Sequence, residues 1–167
     1  MKLLFALMFF SLLHLGLVQA NDHDIPHVEI PITHDLTIEA ALARDKQLPI
    51  MLMFSQDGCS YCEIMKAEFI RPMLISGQYT DKVIIRIIQL DDFGDLIDFD
   101  GSKVEAGNFA TRYRAYVTPT LIFVDHQGRE LSPRLLGVGT IDFFGGDIDD
   151  AIDQSLQKVR AVALHKY

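Results

Sequence analysis

Three short runs of apolar residues constrain the fold of this 167-residue chain more than any other feature. They span residues 50–54, 83–90 and 121–124 and show almost no alternation of apolar with polar residues. Strands buried on both faces have such continuous runs, whereas strands with one solvated face alternate. Helical patterns lie between the runs, at residues 59–75 and 104–116. Helices that alternate with buried strands predict an α/β fold with at least two parallel strands.

A further helix is predicted before the first run. Asp35 or Thr37 can cap its start, and its pattern extends to about Lys46. Its expected apolar face comprises Leu36, Ile38 and Ala41.

The C-terminal third of the chain predicts a hairpin followed by a helix. Residues 126–128 form a turn after the third run, and Pro133 confines residues 129–136 to an edge strand or a bulge. This pattern indicates an antiparallel hairpin added to the sheet. The last helix is predicted over residues 141–162, with its start kinked or delayed by Gly145-Gly146.

The first twenty residues have the pattern of a secretory signal peptide. Met1-Lys2 gives a positive start, residues 3–18 are mostly apolar, and a sequence of small residues ends at Ala20. A retained membrane anchor is the alternative, but the run is shorter than the roughly 20 residues of a spanning helix. Cleavage near Ala20 predicts an exported protein with an extended lead-in over residues 21–34 and one domain over residues 35–167.

The charge balance excludes one class of partner. The chain has 15 Lys+Arg against 23 Asp+Glu and a formal net charge of -8. Because it has no run of basic residues, it lacks the surface with which proteins neutralise phosphates, and we expect no nucleic-acid partner. Two cysteines cannot build a scaffold of several disulfides, so a hydrophobic core must hold the fold.

The chemistry concentrates in Cys59-Ser60-Tyr61-Cys62, which follows the first predicted strand and opens a helix. At a helix start, unpaired backbone N–H groups and the positive end of the helix dipole favour a thiolate over a thiol. Cys59 is therefore the candidate nucleophile. Cys62 lies one turn further on the same face and is more covered, which makes it the candidate resolving thiol.

Other interpretations of the cysteine pair are weaker. A structural disulfide suits an oxidising compartment, although so short a loop removes little entropy from the unfolded chain. A zinc ribbon needs four ligands, and the sequence has no second cysteine pair. Covalent haem attachment needs a histidine directly after the second cysteine, where Glu63 stands. The structural disulfide is the main alternative.

The sequence resembles the thioredoxin-like superfamily over about residues 36–162. Beyond the cysteine motif, the match rests on Val117-Thr118-Pro119-Thr120 before the third run and on the turns at residues 124–128 and 137–139. The resemblance implies a thioredoxin-like fold, with a central mixed sheet of parallel strands plus a C-terminal antiparallel hairpin, flanked by helices. The leader and the motif are most similar to exported thioredoxin-related proteins of bacteria.

The same resemblance implies a substrate site. In the family, the proline at the position of Pro119 is cis and packs against the cysteine sulfurs. The backbone of the preceding residue, here Thr118, is then free to pair with a substrate peptide. Ser60 and Tyr61, between the two cysteines, are expected to contact the substrate as well.

Departures from the thioredoxin pattern bear on the direction of electron flow. The buried carboxylate that the family places six residues before its first cysteine corresponds to Met53. Asp57 and Glu63 flank the thiols, and their negative charge opposes the helix dipole. Because a strong oxidant needs a strongly stabilised reduced form, we expect a reductase or isomerase rather than a strong oxidase.

The predicted activity is attack by Cys59 on a protein or small-molecule disulfide, followed by release through Cys62. We expect no cofactor and no bound metal, and we expect a monomer. A periplasmic location implies a membrane electron donor that reduces the pair again. The alternative function is a thioredoxin-fold binding or metal-handling module whose cysteines do not turn over.

Two acidic or polar segments give smaller hypotheses. After cleavage, Asn21-Asp22-His23 would offer an amino-terminal site for Cu(II) or Ni(II). Residues 91–100 are rich in aspartate and are interpreted as a solvated loop.

Overall fold

The computed structural model describes residues 28–92 and 94–164 of the chain. The predicted signal peptide, most of the lead-in and Asn21-Asp22-His23 lie outside these residues, so the predictions for them stay predictions. Within the described ranges, no helix combines the length and the apolar composition needed to cross a bilayer.

The helices and strands follow one another as an α/β pattern requires. The strands are β1 (Ile50–Ser55), β2 (Ile84–Gln89), β3 (Asp95–Ile97), β4 (Lys103–Glu105), β5 (Thr120–Val124) and β6 (Leu135–Leu136). The helices are α1 (Leu36–Lys46), α2 (Ser60–Met65), α3 (Arg71–Ser76), α4 (Ala106–Arg112) and α5 (Ile141–Leu164). A π turn, Lys66–Ile70, joins α2 to α3, so that residues 60–76 form one continuous helix.

Four strands form the central sheet in the order β2-β1-β5-β6. β1 pairs with β2 in parallel and with β5 antiparallel, and β6 adds to β5 antiparallel. The predicted mixed sheet with a C-terminal hairpin is confirmed. At the outer edge of β2, the backbone N–H of Thr33 donates to the carbonyl of Ile87 at 2.9 Å. The end of the lead-in therefore covers part of that edge.

Side chains alternate along β1 between two hydrophobic cores on opposite faces of the sheet. The first, which we call the α4 core, includes Ile50, Leu52, Phe54, Ile84, Ile88, Phe109 and Tyr113. The second, which we call the cysteine core, includes Met51, Met53, Cys62, Met65, Ile70, Met73, Leu121, Phe123, Phe144 and Ile148. Because both faces of β1 are covered, its sequence is apolar at every position up to Ser55.

Helix α1 begins where the sequence predicts, and Leu36 of its predicted apolar face is buried, but the rest of that face is not. The Asp35 carboxylate caps the helix by accepting a hydrogen bond from the backbone N–H of Thr37 at 2.9 Å. Ile38 and Ala41, expected in the core, are exposed. Glu39 is buried instead, because Arg86 Nε of β2 donates to its carboxylate at 2.7 Å. This ion pair lets a charged residue take a core position.

The helix of residues 60–76, which we call the cysteine helix, contains a π turn with a local cause. Pro72 lies at the start of α3, where it can donate no backbone hydrogen bond and its ring crowds the carbonyl of Glu68. The backbone N–H of Arg71 reaches back to the carbonyl of Lys66 instead. The wider turn accommodates the proline without ending the helix.

The prediction of a solvated loop after β2 is wrong in part. β3 and β4 pair antiparallel as a separate two-stranded sheet, and Asp98, directly after β3, is only 4% exposed. Arg112 of α4 donates from both terminal nitrogens to the two Asp98 carboxylate oxygens. A paired cation is what allows this acidic residue to enter the interior. β4 also takes residues 103–105, so α4 begins two residues later than Val104, the predicted start.

Helix α5 starts at Ile141, so the expected delay at Gly145-Gly146 is wrong. Both glycines lie inside the helix. Phe144, just before them, is buried and packs edge-on against Phe69 with ring centroids 5.3 Å apart. A glycine in a helix interior costs about 1 kcal/mol relative to alanine. Burial of Phe144 against Phe69 holds the first turn of α5 in place and offsets this cost.

Candidate functional site

The two cysteines lie where β1 leads into the helix of residues 60–76. Residues 56–58 form the connection, and Gly58 adopts a left-handed conformation with φ +71°, which a side chain would disfavour. Cys59 is the N-cap residue of α2, and it forms a disulfide with Cys62 with the two Cα atoms 5.2 Å apart. The predicted position of the motif, after a buried strand and at a helix start, is confirmed.

Cys59 and Cys62 differ in access to solvent. Cys62 is fully buried in the cysteine core, whereas Cys59 packs at the margin of that core and is partly exposed. The backbone N–H of Cys62 donates to Cys59 Sγ at 3.1 Å. This hydrogen bond and the helix start both favour negative charge on the Cys59 sulfur. An external thiol or disulfide can therefore reach Cys59 more readily than Cys62.

A network of side chains fixes the connection before Cys59. The backbone N–H of Asp57 donates to the Asp91 carboxylate at 2.8 Å, and this bond holds the pKa of Asp91 below its usual value. Gln89 Nε2 donates to both carboxylates, at 2.9 Å to Asp57 and 2.8 Å to Asp91. One side-chain amide thus ties the end of β2 to the loop that carries the cysteines.

Glu63, directly after the motif, is not an isolated charge. Lys66 Nζ donates to its carboxylate at 2.9 Å. This pair offsets one of the two negative charges expected beside the thiols. Asp57 has only the neutral Gln89 amide and no cation within salt-bridge distance among the described residues.

The segment before β5 lies at the same end of the sheet as the cysteines. The Thr118–Pro119 peptide bond is cis. Thr118 is half-buried and Pro119 is buried. Phe54 pairs with Thr120, so the antiparallel pairing of β1 and β5 ends one residue before Ser55 on one strand and one residue after Pro119 on the other. The fold therefore places the cysteine motif and the predicted substrate-contacting segment at the same end of the sheet, and the role of Thr118 and Pro119 in substrate contact stays a prediction.

Large apolar side chains are exposed in both of these segments. Tyr61 of the motif is 62% exposed, while Tyr116 and Val117 are 72% and 52% exposed. The sequence singled out Tyr61 as a contact residue and Val117 only as part of a family motif, and it did not single out Tyr116. The available signal was the presence of two bulky apolar residues directly before Thr118-Pro119. Exposed apolar residues beside a reactive group are typical of binding surfaces.

Two buried side chains lie beneath the cysteine helix on β1. Met53 is fully buried in the cysteine core. It occupies the position at which the thioredoxin pattern has a buried carboxylate. Ser55 is also fully buried, and its hydroxyl has no hydrogen-bond partner among the described residues. Sequence reasoning did not single out Ser55, because a serine at the end of a strand resembles an ordinary turn residue. The described residues hold no group of three or more His, Cys, Asp or Glu side chains that could bind a metal ion.

Comparisons with known proteins identify the family. A family model for a thioredoxin-like domain matches residues 36–144. Similar solved structures include a Malassezia sympodialis thioredoxin, with a TM-score of 0.53, 14% identity and coverage of 79% of this chain and 95% of that one. Fasciola hepatica thioredoxin has a TM-score of 0.51, 13% identity and coverage of 75% and 99%. The oxidised mitochondrial thioredoxin 3 of Saccharomyces cerevisiae has a TM-score of 0.50, 15% identity and coverage of 74% and 93%.

At these identities the solved structures show a shared fold. A search of curated protein sequences finds no significant match. The family model spans more than half of the chain, and the cysteine pair forms a disulfide at the helix start. This protein is a thiol–disulfide oxidoreductase and belongs to the thioredoxin-like domain family.

Proposed function

We propose that this protein is an exported, periplasmic enzyme that reduces or isomerises protein disulfides. The observation that carries the proposal is the unequal burial of the two cysteines, with Cys59 partly exposed and Cys62 fully buried. Thiol–disulfide exchange needs one sulfur that a substrate can reach and a second that acts only afterwards.

In the first step, the Cys59 thiolate attacks a sulfur of the substrate disulfide. A bond forms between Cys59 Sγ and that sulfur, the substrate S–S bond breaks, and the other substrate sulfur leaves as a thiolate that takes up a proton. Ser60, Tyr61, Thr118 and Pro119 would contact the substrate chain during this step. The exposed ring of Tyr61 offers the apolar part of that surface.

In the second step, Cys62 loses its proton to solvent and attacks Cys59 Sγ. The enzyme disulfide forms, the mixed disulfide breaks, and the second substrate sulfur leaves as a thiolate. Two electrons pass from the cysteine pair to the substrate. The short distance between Cα atoms, 5.2 Å, allows this closure without a large backbone movement.

The carboxylates around the motif support a reducing or isomerising direction. Asp57 lies two residues before Cys59, and the Asp91 carboxylate accepts a hydrogen bond from the Asp57 backbone. Their negative charge opposes a thiolate at Cys59 and so disfavours the reduced form that a strong oxidant stabilises. Lys66 offsets Glu63, and salt screens exposed charges, so the effect is moderate.

Export and the electron donor rest on the leader sequence. The apolar run and the small residues before Asn21 support cleavage near Ala20 and passage into an oxidising compartment. There, an enzyme that reduces substrates is itself left oxidised after each turnover. A membrane electron donor would reduce the Cys59–Cys62 disulfide again, and the enzyme would act as a monomer.

Turnover by the exported protein tests the proposal. The full chain is expressed in an export-competent bacterium, and the purified protein is mixed with dithiothreitol and a small disulfide-bonded protein. We expect Cys59→Ser to lower the rate on the order of 10³-fold or more, because the nucleophile is lost. Cys62→Ser should accumulate a mixed disulfide with the substrate. Ser102→Ala, an exposed serine remote from the motif, serves as the control.

Equal rates for the wild type and Cys59→Ser would contradict the proposed enzymatic activity. That result would favour the alternative function, a binding or metal-handling module whose cysteines do not turn over. The mass of the purified protein shows whether residues 1–20 are removed. Equilibration with glutathione gives the direction: a potential near the −270 mV typical of thioredoxin supports a reductase, whereas one near −120 mV would contradict it.

A further inference from the structure

The unpartnered hydroxyl of Ser55 is the feature of the site that the proposed function leaves unexplained. Ser55 is 0% exposed, and its Oγ makes no hydrogen bond to any described residue. A buried hydroxyl without a partner costs about 1–3 kcal/mol. Glu39 Oε2 is likewise unpartnered, but the other oxygen of that carboxylate is bound by Arg86. Ser55 has no such second contact.

The position of Ser55 in the sheet directs its side chain towards the cysteine helix. Side chains two residues apart on a strand share a face, and Met51 and Met53 both lie in the cysteine core with Cys62. Ser55 therefore faces the same core, one step nearer to the motif. Its partner on β2 is Gln89, and on the other side the pairing of β1 with β5 ends one residue earlier, at Phe54 and Thr120.

We propose that Ser55 is a positioning residue of the redox site, whose hydroxyl has no partner while the disulfide is closed and donates a hydrogen bond to the Cys62 sulfur once the disulfide is reduced. The inference rests on the proposed function. Reduction by a thiol reductant adds two electrons and breaks the S–S bond. The two sulfurs are then free to separate, and the Cys62 sulfur, as thiol or thiolate, gains capacity to accept a hydrogen bond.

The proposal fixes the direction in which Ser55 shifts the redox equilibrium. In the oxidised protein, the unpartnered hydroxyl is unfavourable. In the reduced protein, the same hydroxyl is satisfied and stabilises negative charge on Cys62. Both contributions favour the reduced form. They also aid the second step of catalysis, in which Cys62 must act as a thiolate inside an apolar core.

Redox equilibria of Ser55 variants test the inference. The wild type, Ser55→Ala and Ser55→Thr are expressed as the full chain, purified, and equilibrated with mixtures of reduced and oxidised glutathione. We expect Ser55→Ala to favour the disulfide about fivefold to tenfold, equivalent to a potential roughly 20–30 mV more negative. Ser55→Thr keeps the hydroxyl and should stay within about twofold of the wild type.

A matched control and a stability measurement exclude a merely structural role. Ser155 is also fully buried, but its hydroxyl bonds to that of Ser132 at 3.1 Å, so Ser155→Ala should lower stability without moving the redox equilibrium. Oxidised Ser55→Ala should resist urea at least as well as the oxidised wild type. Ser55→Ala within twofold of the wild type, or the same shift in Ser155→Ala, would overturn the inference. An active wild type with an unshifted Ser55→Ala would leave the proposed function standing.

Discussion

The two cores on either side of the central sheet differ in the polar groups that lie in and around them. The α4 core is bordered by charged residues in ion pairs, Glu39 with Arg86 and Asp98 with Arg112. The ion pairs around the cysteine core, Glu63 with Lys66 and Lys82 with Asp153, have exposed carboxylates, and the core itself holds the disulfide and an unpartnered serine hydroxyl. Paired charges serve stability and registry, whereas an unsatisfied group beside a reactive bond can serve chemistry. One sheet thus separates the structural side of the molecule from its chemical side.

The apolar residues differ as well. The α4 core contains a cluster of tilted aromatic rings, with centroid distances of 5.0 Å from Phe109 to Tyr113 and 6.0 Å from Phe109 to Phe54. The cysteine core is rich in methionine, with Met51, Met53, Met65 and Met73 around Cys62. Methionine is flexible and polarisable, so it can follow small movements of its neighbours. The softer core lies under the bond that opens and closes.

Phe109→Ala should give the largest effect and should be confined to stability. Phe109 is fully buried among aromatic rings, and Arg112 lies over its ring at 4.7 Å. Its loss should lower the free energy of unfolding by about 4 kcal/mol. Urea unfolding of the oxidised protein measures this loss. The redox equilibrium of the Cys59–Cys62 pair with glutathione should not change. A shift greater than about twofold would contradict the idea that the α4 core affects stability alone.

Met53→Asp should place an ionisable carboxyl group in the apolar interior of the cysteine core. Burial should raise the pKa of the new carboxyl by roughly two units, which corresponds to about 3 kcal/mol. The unfolded chain releases this proton near pH 4 and the folded protein only at higher pH, so the variant should lose stability as the pH rises from about 4 to 7. Urea unfolding at both pH values measures the loss. Met53→Asn, which does not titrate, should show no added pH dependence, and equal behaviour of the two variants would contradict the expectation.

Two tyrosines give the smallest effect and compare the cores directly. Burial raises the pKa of Tyr113, in the α4 core, to about 12, whereas a hydrogen bond to Asp149 raises that of Tyr79, at the margin of the cysteine core, to about 12. Each folded-state pKa is above the usual 10, so their contribution to stability is complete below pH 10 and is lost as the pH rises towards 12.

Asp149→Asn should therefore lower the pKa of Tyr79 and leave that of Tyr113 unchanged. An absorbance titration of tyrosinate shows this as one residue that ionises earlier. Asp150→Asn removes an exposed carboxylate of the same helix that makes no hydrogen bond among the described residues and serves as the control. A shift in both tyrosines, or in neither, would contradict the Asp149 hydrogen bond as the cause of the raised pKa of Tyr79.

Much of the fold could be predicted because its main signals are local. Continuous apolar runs mark strands covered on both faces, so β1, β2 and β5 could be placed within a residue or two. Asp35 caps α1 through a contact two residues away. The cysteine motif combines a fixed spacing with its place after a buried strand. Each of these features depends on neighbours in sequence.

The features that were missed depend on partners distant in sequence. Glu39 becomes a core residue only because Arg86 reaches it from β2, and Asp98 only because Arg112 faces it from α4. β3 and β4 have three residues each, too few for periodicity to be recognised. Ser55 could not be recognised because its unpartnered state is defined by the absence of contacts, which only a three-dimensional arrangement shows.

The π turn between α2 and α3 changes which residues of a single helix face the central sheet. Core positions on a regular helix recur every three or four residues, but Met65 and Ile70, which share the cysteine core, are five apart. The turn of Lys66–Ile70 absorbs the extra residue. Phe69, at the margin of this core, keeps the regular spacing of four residues from Met65, and the wider turn also turns the fully buried Ile70 towards the core, so that two consecutive residues of one helix contact it.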